Sequence, residues 1–369
     1  MQILSGARQI GKTTLSLQAL KKNKQPYWHA IAESGFDVNW IEQQWRMARA
    51  LCHEHSIGAI LVIDEIQKIS NWSERVKRLW DEDTKHEKPL KVLLLGSSSL
   101  LLQHGLSESM AGRYEVIHIP HWSFAECQAA FDVTLDEYLY FGAYPGALVY
   151  KNDEQRFLNY IQDSIIEPVV ARDILSQLVI HKPALLRSLF RLGCDYSGQI
   201  LSYNKMIGQM QDAGNTTTLA HYIQLLDYAG VLKGIHKFAN EHVRQRQSSP
   251  KLQVYNTALM TSSFKEKFKE TIHHPERRGR LVESAVGASL LMNQEHNVFY
   301  WREDNKEVDF IVQTKGKLIA IEVKSGRRQT CLPGITAFQK AFAPDAVLLV
   351  GENGIPLDVF LKTPLSHFI

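Results

Sequence analysis

The residues Gly6-Ala7-Arg8-Gln9-Ile10-Gly11-Lys12-Thr13-Thr14 set two glycines five positions apart and follow the second with a lysine and two threonines. This is the spacing a phosphate-binding loop needs. Gly6 lets the chain turn off a strand, and Gly11 lets backbone N–H groups close around phosphate oxygens. Lys12 brings a cation to the β- and γ-oxygens, and the Thr13 hydroxyl is suited to ligate Mg²⁺. Ile3 and Leu4 before the loop, and the helical spacing Leu15, Leu17, Ala19, Leu20 after it, supply the strand and helix that such a loop joins. The helix start also points its positive end at the same anion. A glycine-rich turn with a surface lysine would explain the residue types but not that context. The reading is a nucleotide site, for ATP with Mg²⁺, formed by Gly6 to Thr14.

A second, acidic signature follows. Ala59-Ile60-Leu61-Val62-Ile63 is an apolar run of strand length that ends in Asp64-Glu65. Unbroken apolar character marks a parallel strand buried on both faces, and open α/β sheets bind ligands at the carboxyl ends of such strands. Asp64 is expected to meet Mg²⁺, directly or through water, and Glu65 to polarise the attacking water. A third strand, Lys91–Gly96, ends in Ser97-Ser98-Ser99, where Ser97 or Ser98 either orients that water or caps a helix. Arg113 precedes a strand over Tyr114–Pro120. It is either an arginine finger, acting within the chain or on a neighbour's nucleotide, or half of a structural ion pair.

The C-terminal third holds a separate constellation. Strands are expected over Val298–Arg302, Glu307–Val312 and Leu318–Lys324, after a helix that carries Glu283 with Val282, Val286, Leu290 and Leu291 on its packed side. Side chains two apart on a strand share a face, so Glu322 and Lys324 project together, and Asp309 on the neighbouring strand can reach the same spot. Asp309, Glu322 and the Val323 carbonyl would make an oxygen-ligand Mg²⁺ site, with Glu283 joining the shell and Lys324 orienting water or stabilising developing charge. The competing account is a hairpin with solvated charges. A helix over Phe338–Lys340 and a strand over Asp345–Val350 would complete this sheet.

Four segments are expected to position these residues: an α/β nucleotide-binding domain over 1–130, a helical lid or bridge over 131–180, a winged-helix domain over 181–262 and a C-terminal α/β domain over 263–369. In the first, Trp40, Ile41, Trp45 and Leu51 give a helical face between Val38 and His55. In the second, a mixed-charge helical pattern runs from Leu135 to Leu178, broken or kinked at Glu167-Pro168. In the third, helices are expected after Pro183, near Ser202–Met210 and after a cap at Asn215, followed by strands at Val231–Ile235 and Lys251–Tyr255 around a basic loop with His242, Arg244 and Arg246. Three helices and a two-stranded wing can place the third helix in a major groove. That helix has no Arg or Lys between Thr216 and Gly230, which argues against base reading and for docking of a protein. A basic linker, Lys265–Lys269 and Arg277-Arg278-Gly279-Arg280, is expected before the last domain.

At 369 residues and 44% hydrophobic the chain can pack several cores, and its net charge of +3 permits a local basic face without requiring a nucleic-acid partner. Cys52, Cys127, Cys194 and Cys331 are scattered, without the pairing of a zinc site, as suits reduced thiols in a cytoplasmic protein. The longest apolar runs are too short to span a bilayer. Little more than one strand precedes the loop, so adenine contacts are expected to be weak or to come from elsewhere.

Gly6–Thr14, Leu61–Gln67, Gly96–Leu102, Ser107–Arg113, the segment Pro120-His121-Trp122-Ser123-Phe124-Ala125-Glu126 and the turn Phe141-Gly142-Ala143-Tyr144-Pro145-Gly146 together resemble the AAA+ family ATPases that carry a C-terminal domain of unknown function, DUF4143. Asp309 with Glu322-Val323-Lys324 resembles the PD-(D/E)xK nuclease motif. The resemblance implies a P-loop AAA+ parallel sheet, ATP hydrolysis, and a nuclease-like module that cuts or grips DNA. Self-association is common among such relatives. Two other classes remain open: a nucleotide-dependent switch that recruits a protein partner, and a DNA-binding regulator without catalysis.

Overall fold

The computed structural model describes the chain except for residues 55–56, 97–109, 175–179, 181, 211–213, 240–247, 265, 325 and 327–331. Ser97, Ser98, Cys331 and the basic loop with His242, Arg244 and Arg246 lie outside the described residues. The chain divides into two compact units, Met1–Pro120 and His121–Ile369.

The first unit is built on a parallel sheet of order β2-β3-β4-β1-β5, with β1 at Gln2–Ser5, β2 at Tyr27–Ile31, β3 at Ala59–Asp64, β4 at Leu90–Gly96 and β5 at Glu115–His118. β3 is buried at every residue, as its unbroken apolar run predicts. Helix α1 (Lys12–Lys22) lays Leu20 on one face of the sheet, against Leu4, Ile60, Val62 and Leu95. On the other face, α2 (Val38–Glu54) buries Ile41, Trp45 and Ala48, spaced four and three apart along one stripe. α3 (Trp72–Lys85) adds Trp72, Val76 and Leu79 to that core. Between these two helices the Trp45 indole N–H donates to Asp83 Oδ2 at 2.6 Å, and Arg49 pairs with Asp83 Oδ1 at 2.7 Å, so the buried carboxylate is matched. Because every strand runs the same way, Gly6 after β1 and Glu65 after β3 emerge at one edge of the sheet.

The second unit begins with a reciprocal cap that accounts for the Ser123–Glu126 motif. Ser123 Oγ accepts from the Glu126 N–H, and Glu126 Oε2 accepts from the Ser123 N–H, opening α4 (Phe124–Phe131). α4 packs within this unit, with Lys362 Nζ 5.0 Å from the Phe124 ring centroid, so residues 121–130 belong here and not with the sheet of the first unit. α5 (Leu135–Phe141), α6 (Pro145–Leu148) and α7 (Glu154–Tyr160) follow. At the expected break the chain continues in π-type winding, Ile161–Ile166 and Pro168–Ile174, on either side of Glu167. The turn at Gly142–Gly146 is tied to a distant residue: Asn256 Oδ1 accepts from the Ala143 N–H at 3.1 Å and the Ala258 N–H at 3.2 Å. Gly142 is left-handed there (φ 65°), and a Cβ on it would lie 2.0 Å from that same oxygen.

Helices α8 (Pro183–Asp195), α9 (Tyr203–Gln209) and α10 (Thr216–Tyr228) come next, the last capped by Asn215 Oδ1 on the Thr218 N–H at 2.8 Å. The antiparallel pair β6 (Leu232–Ile235) and β7 (Lys251–Val254) follows. β7 is buried along its whole length, so this hairpin does not present the solvated strand of a free wing. Short helix α11 (Ala258–Thr261) then leads to a correction. The expected basic linker is helical: α12 spans Phe268–His273, and Arg277–Arg280 form the opening of α13 (Pro275–Leu291). Pro275 starts α13, where its missing N–H costs nothing. The arginines are held rather than solvated, Arg277 on Glu266, Arg278 on Asp136 and Arg280 on the Asp195 carbonyl.

After α13 the order is β8 (Asn297–Glu303), β9 (Lys306–Thr314), β10 (Lys317–Lys324), α14 (Pro333–Phe342) and β11 (Ala346–Gly351), then α15 (Leu357–Lys362). The sheet order is β11-β10-β9-β8, antiparallel through β8, β9 and β10 and parallel between β10 and β11. α14 buries Ile335 and Phe338 on one face with Trp301, Val308 and Ile311. Among the described residues, no helix is long and apolar enough to cross a membrane.

Gly142→Ala is expected to lower unfolding stability by roughly 2–4 kcal/mol, combining overpacking against Asn256 with a left-handed backbone. Gly316→Ala, at φ 79° with nothing within 4 Å of its Cβ, isolates the backbone part alone, at about 1–2 kcal/mol. Urea denaturation of the two variants separates these contributions; equal losses would mean that the Asn256 contact yields without cost.

Candidate functional sites

Gly6 permits a backbone approach that no other residue allows, since a Cβ there would stand 2.4 Å from the Ile119 carbonyl oxygen and 2.7 Å from Ile10 Cδ1. Gln9 (φ 62°) and Gly11 (φ 92°) are both left-handed, which wraps the loop before α1 begins at Lys12. Lys12 is buried and donates from Nζ to the carbonyls of Gly6 (3.0 Å) and Ala7 (2.7 Å), folding back across the loop. The Thr13 hydroxyl donates to Asp64 Oδ2 at 2.5 Å, and Asp64 Oδ1 accepts from the Glu65 N–H at 2.8 Å. A hydroxyl and a carboxylate in contact, beside a lysine and a run of loop amides, form a donor set that suits Mg²⁺ with a polyphosphate.

Glu65 stands in the left-handed region (φ 56°), a backbone uncommon for a glutamate, at the carboxyl end of the buried strand. Its Oε2 accepts from Gln67 Nε2 at 2.9 Å and lies 3.7 Å from Lys68 Nζ. Arg113 forms a two-pronged pair with Asp81, Nε to Oδ1 at 2.7 Å and Nη2 to Oδ2 at 3.1 Å. This hydrogen bond holds the Asp81 carboxyl below the ordinary carboxylate range. His118 carried no role in the sequence reading. It pairs in register with Ser5, next to the loop, and its imidazole pKa is lowered first by desolvation and then by the Lys12 ammonium. The strand Tyr114–Pro120 was visible in the sequence, but its place beside β1 was not.

In the second unit the expected trio comes together at the end of the β9–β10 hairpin. Phe310 pairs with Ile321, and one step further Asp309 Oδ2 accepts from the Val323 N–H at 2.8 Å. Lys324 Nζ lies 2.6 Å from Glu322 Oε1. The other oxygen, Glu322 Oε2, is buried without a hydrogen-bond partner. Burial, and next the Asp309 charge, push the Glu322 carboxyl up to about 7. An orphaned buried carboxylate oxygen with a second carboxylate nearby suits a cation. Lys324 also lines an open cleft of about 680 Å³ with Arg278, Val282, Pro356 and Leu357.

Glu283 is engaged elsewhere than expected. Its Oε1 lies 2.5 Å from Nζ of Lys251, a fully buried residue at the start of β7 that the sequence reading assigned only to a strand. Lys251 Nζ also stands 3.7 Å from both Glu307 Oε1 and Asp309 Oδ1. Burial works against its charge, but the Glu283, Asp309 and Glu307 carboxylates outweigh that and hold its pKa above the ordinary lysine value. Among the described residues, no three His, Cys, Asp or Glu side chains converge as a ready-made metal cage. Lys251 opens β7, and the alternation Lys251, Leu252, Gln253, Val254 reads as a strand with one solvated face, so the sequence carried no signal of its burial. Burial pushes the Cys127 thiol up to about 12, so this cysteine is no nucleophile.

The raised Glu322 pKa gives a stability contribution with a definite sign. The folded protein keeps a proton there that the unfolded chain has released, so the contribution is full below about 4.5 and is lost as pH rises through about 7. In chelator-containing buffer, Glu322→Gln is therefore expected to gain on the parent between pH 5 and pH 8, by up to roughly 3 kcal/mol. Denaturant unfolding across that range checks it; a gap that stays constant with pH would mean that the carboxyl is ionised throughout.

Sequence comparison divides the chain in a similar way. Residues 1–128 match the AAA domain family, 133–269 match DUF8612 and 278–368 match DUF4143, the last two described as domains of unknown function. An uncharacterized protein of Mycobacterium tuberculosis is 26% identical over 378 residues, spanning 100% of this chain and 80% of that protein. One from Haemophilus influenzae is 22% identical over 351 residues, spanning 88% and 82%. Among solved structures, the Thermotoga maritima RuvB Holliday junction branch migration motor is 16% identical over 63% of this chain and 81% of its own, with a TM-score of 0.33. AMPPCP-bound DnaA from Aquifex aeolicus is 14% identical over 61% and 80%, with a TM-score of 0.28. Superposition at that level decides nothing about function. The chain carries an AAA domain at its amino end and a DUF4143 domain at its carboxyl end.

Proposed function

We propose that this protein is a Mg²⁺-dependent ATPase whose nucleotide state controls a C-terminal module that grips or cuts DNA. The observation that carries the first half is the 2.5 Å contact between Thr13 and Asp64, which joins the phosphate loop to the acidic strand end. In this reading the Lys12 ammonium exchanges the Gly6 and Ala7 carbonyls for phosphate oxygens. Thr13 and Asp64 hold Mg²⁺, which when bound offsets phosphate charge. Glu65, steadied by Gln67 and Lys68, takes the proton of the attacking water. Arg113 exchanges Asp81 for the transferring phosphate, in its own chain or in a neighbour's.

Asp309 and Glu322 take a divalent ion in the second site, and Lys324 stabilises charge as a phosphodiester is attacked. The order helix, three antiparallel strands, helix, parallel strand (α13 to β11) supports a PD-(D/E)xK-like reading of this module. α8 to α10 with β6 and β7 serve as an adaptor of winged-helix order whose second strand, β7, is packed inside the unit and is not a free wing. α10 carries no Arg or Lys, which favours protein contacts over base reading. The ammonium of Lys251 among the carboxylates favours one alternative, a nucleotide-dependent switch in which this module binds and does not cut.

ATP turnover, with and without DNA, tests the first half. Lys12→Ala and Glu65→Gln are each expected to lose at least about 100-fold, the second while still binding nucleotide. Arg113→Ala is expected to lower turnover where Asp81→Ala does not; unchanged turnover in Lys12→Ala would end the ATPase reading. For the second half, Mg²⁺- or Mn²⁺-dependent DNA cutting should disappear in Asp309→Ala. Equal cutting by both proteins would assign it to a contaminant or to another site. If no DNA is bound at low salt, where phosphate contacts are strongest, the switch is the correct reading.

A further inference from the structure

Lys251 reaches the acidic centre of the C-terminal sheet from a strand outside that sheet. It is fully buried, lies 2.5 Å from Glu283 Oε1, donates to the Asp309 carbonyl at 3.2 Å, and stands 4.8 Å from the Phe310 ring centroid. Gln253, two residues along β7, donates to the Ser284 carbonyl at 2.8 Å, which anchors the same strand to the helix bearing Glu283. Lys251 is therefore built in, not an ammonium that wandered to a carboxylate.

The charges can be counted. With all four ionised, as an ion-loaded centre requires, Glu283, Glu307, Asp309 and Glu322 carry four negative charges, and Lys251 and Lys324 offset two of them. One divalent ion neutralises that remainder. A second would leave the centre as positive as it began negative, beside a buried ammonium, where like charges repel far more than in water. The oxygens also divide. Glu283 Oε1 is committed to Lys251, whereas Glu322 Oε2 is buried and unpartnered, on a strand whose next N–H, that of Val323, is held by Asp309.

We propose that Lys251 is the resident cation of this centre. Paired with Glu283, it takes the position a second divalent ion would need, so the chain binds a single ion there, through Asp309 and Glu322. Glu283 is then a positioning residue that holds Lys251 and not a metal ligand. The proposal rests on the divalent-ion reading of Asp309 and Glu322.

The test is a Mn²⁺ titration of the full chain, following the electron spin resonance signal of free Mn²⁺. Every protein carries Asp64→Asn, which removes the other carboxylate proposed to meet a divalent ion. One Mn²⁺ per chain is expected, weakened roughly tenfold but retained in Glu283→Gln, which removes a negative charge and no ligand, and lost in Asp309→Asn. Lys251→Met is expected to bind two ions, or one at least tenfold more tightly, and Lys251→Arg one. If Lys251→Met fails to fold, the Glu283→Gln arm decides alone. Loss of the ion in Glu283→Gln as complete as in Asp309→Asn, or two ions in the protein with Lys251 intact, would overturn the proposal while the metal reading stands. No ion bound by any of these proteins would remove the metal reading, and the proposal with it.

Discussion

An ammonium group placed beyond the reach of water must be matched by nearby negative charge, and Lys251 shows what that constraint does to a fold. Its carbon chain comes from β7, its charge is met by Glu283 on α13 and by Asp309 and Glu307 on β9, and its edge rests on Phe310. Moving any of these elements would strand a buried charge, a loss that ordinary packing cannot offset. The hairpin of the helical section and the sheet of the C-terminal section are thereby fixed to each other within one unit. The same contact keeps an acidic centre at the end of β9 and β10 from flying apart under its own repulsion.

The first unit rests on a different constraint, the one-way run of its strands. Parallel strands deliver their carboxyl ends to one edge, so a loop after β1 and a carboxylate after β3 meet although β4 lies between those strands. The Thr13 hydroxyl touching Asp64 is the local result. Backbone conformation completes it. Gly6 admits close approach of Ile119, and Gln9, Gly11 and Glu65 accept left-handed geometry that turns the chain toward the same edge. Gln9 and Glu65 depart from local preference at the site where the chemistry is proposed, as other residues do at turns elsewhere in the chain.

In both sites the cations are already in contact with oxygens of the chain: Lys12 with loop carbonyls, Arg113 with Asp81, Lys324 with Glu322 and Lys251 with Glu283. Each cation has an internal partner that a ligand must replace or leave alone. In the proposed reaction Arg113 and Lys12 exchange partners, those in the structure being an exposed carboxylate and loop carbonyls. Lys251 has no such freedom, being buried on every side. Exchangeable and fixed cations thus serve different ends in one chain.

Much of this was legible from residue order. The phosphate loop, the buried strand before Asp64, the helix over Val38–Glu54 with its Ile41–Trp45 stripe, and the hairpin that joins Asp309 to Glu322 and Lys324 all follow from periodicity or fixed spacing, which are local properties of a chain. The basic run at Arg277–Arg280 was misread as a linker because its partners, Glu266, Asp136 and the Asp195 carbonyl, are supplied by other segments. Asn256, 113 residues beyond Ala143, completes a turn that was recognisable in the sequence without this partner. Lys251 looked like an ordinary strand residue, since nothing in its neighbours announces burial beside Glu283, 32 positions later in the chain. Sequence by itself determined the elements and the residues able to do chemistry, because propensity and spacing act over a few positions. Only the tertiary structure decided which charges meet, because burial and Coulomb attraction depend on distance in space and ignore distance along the chain.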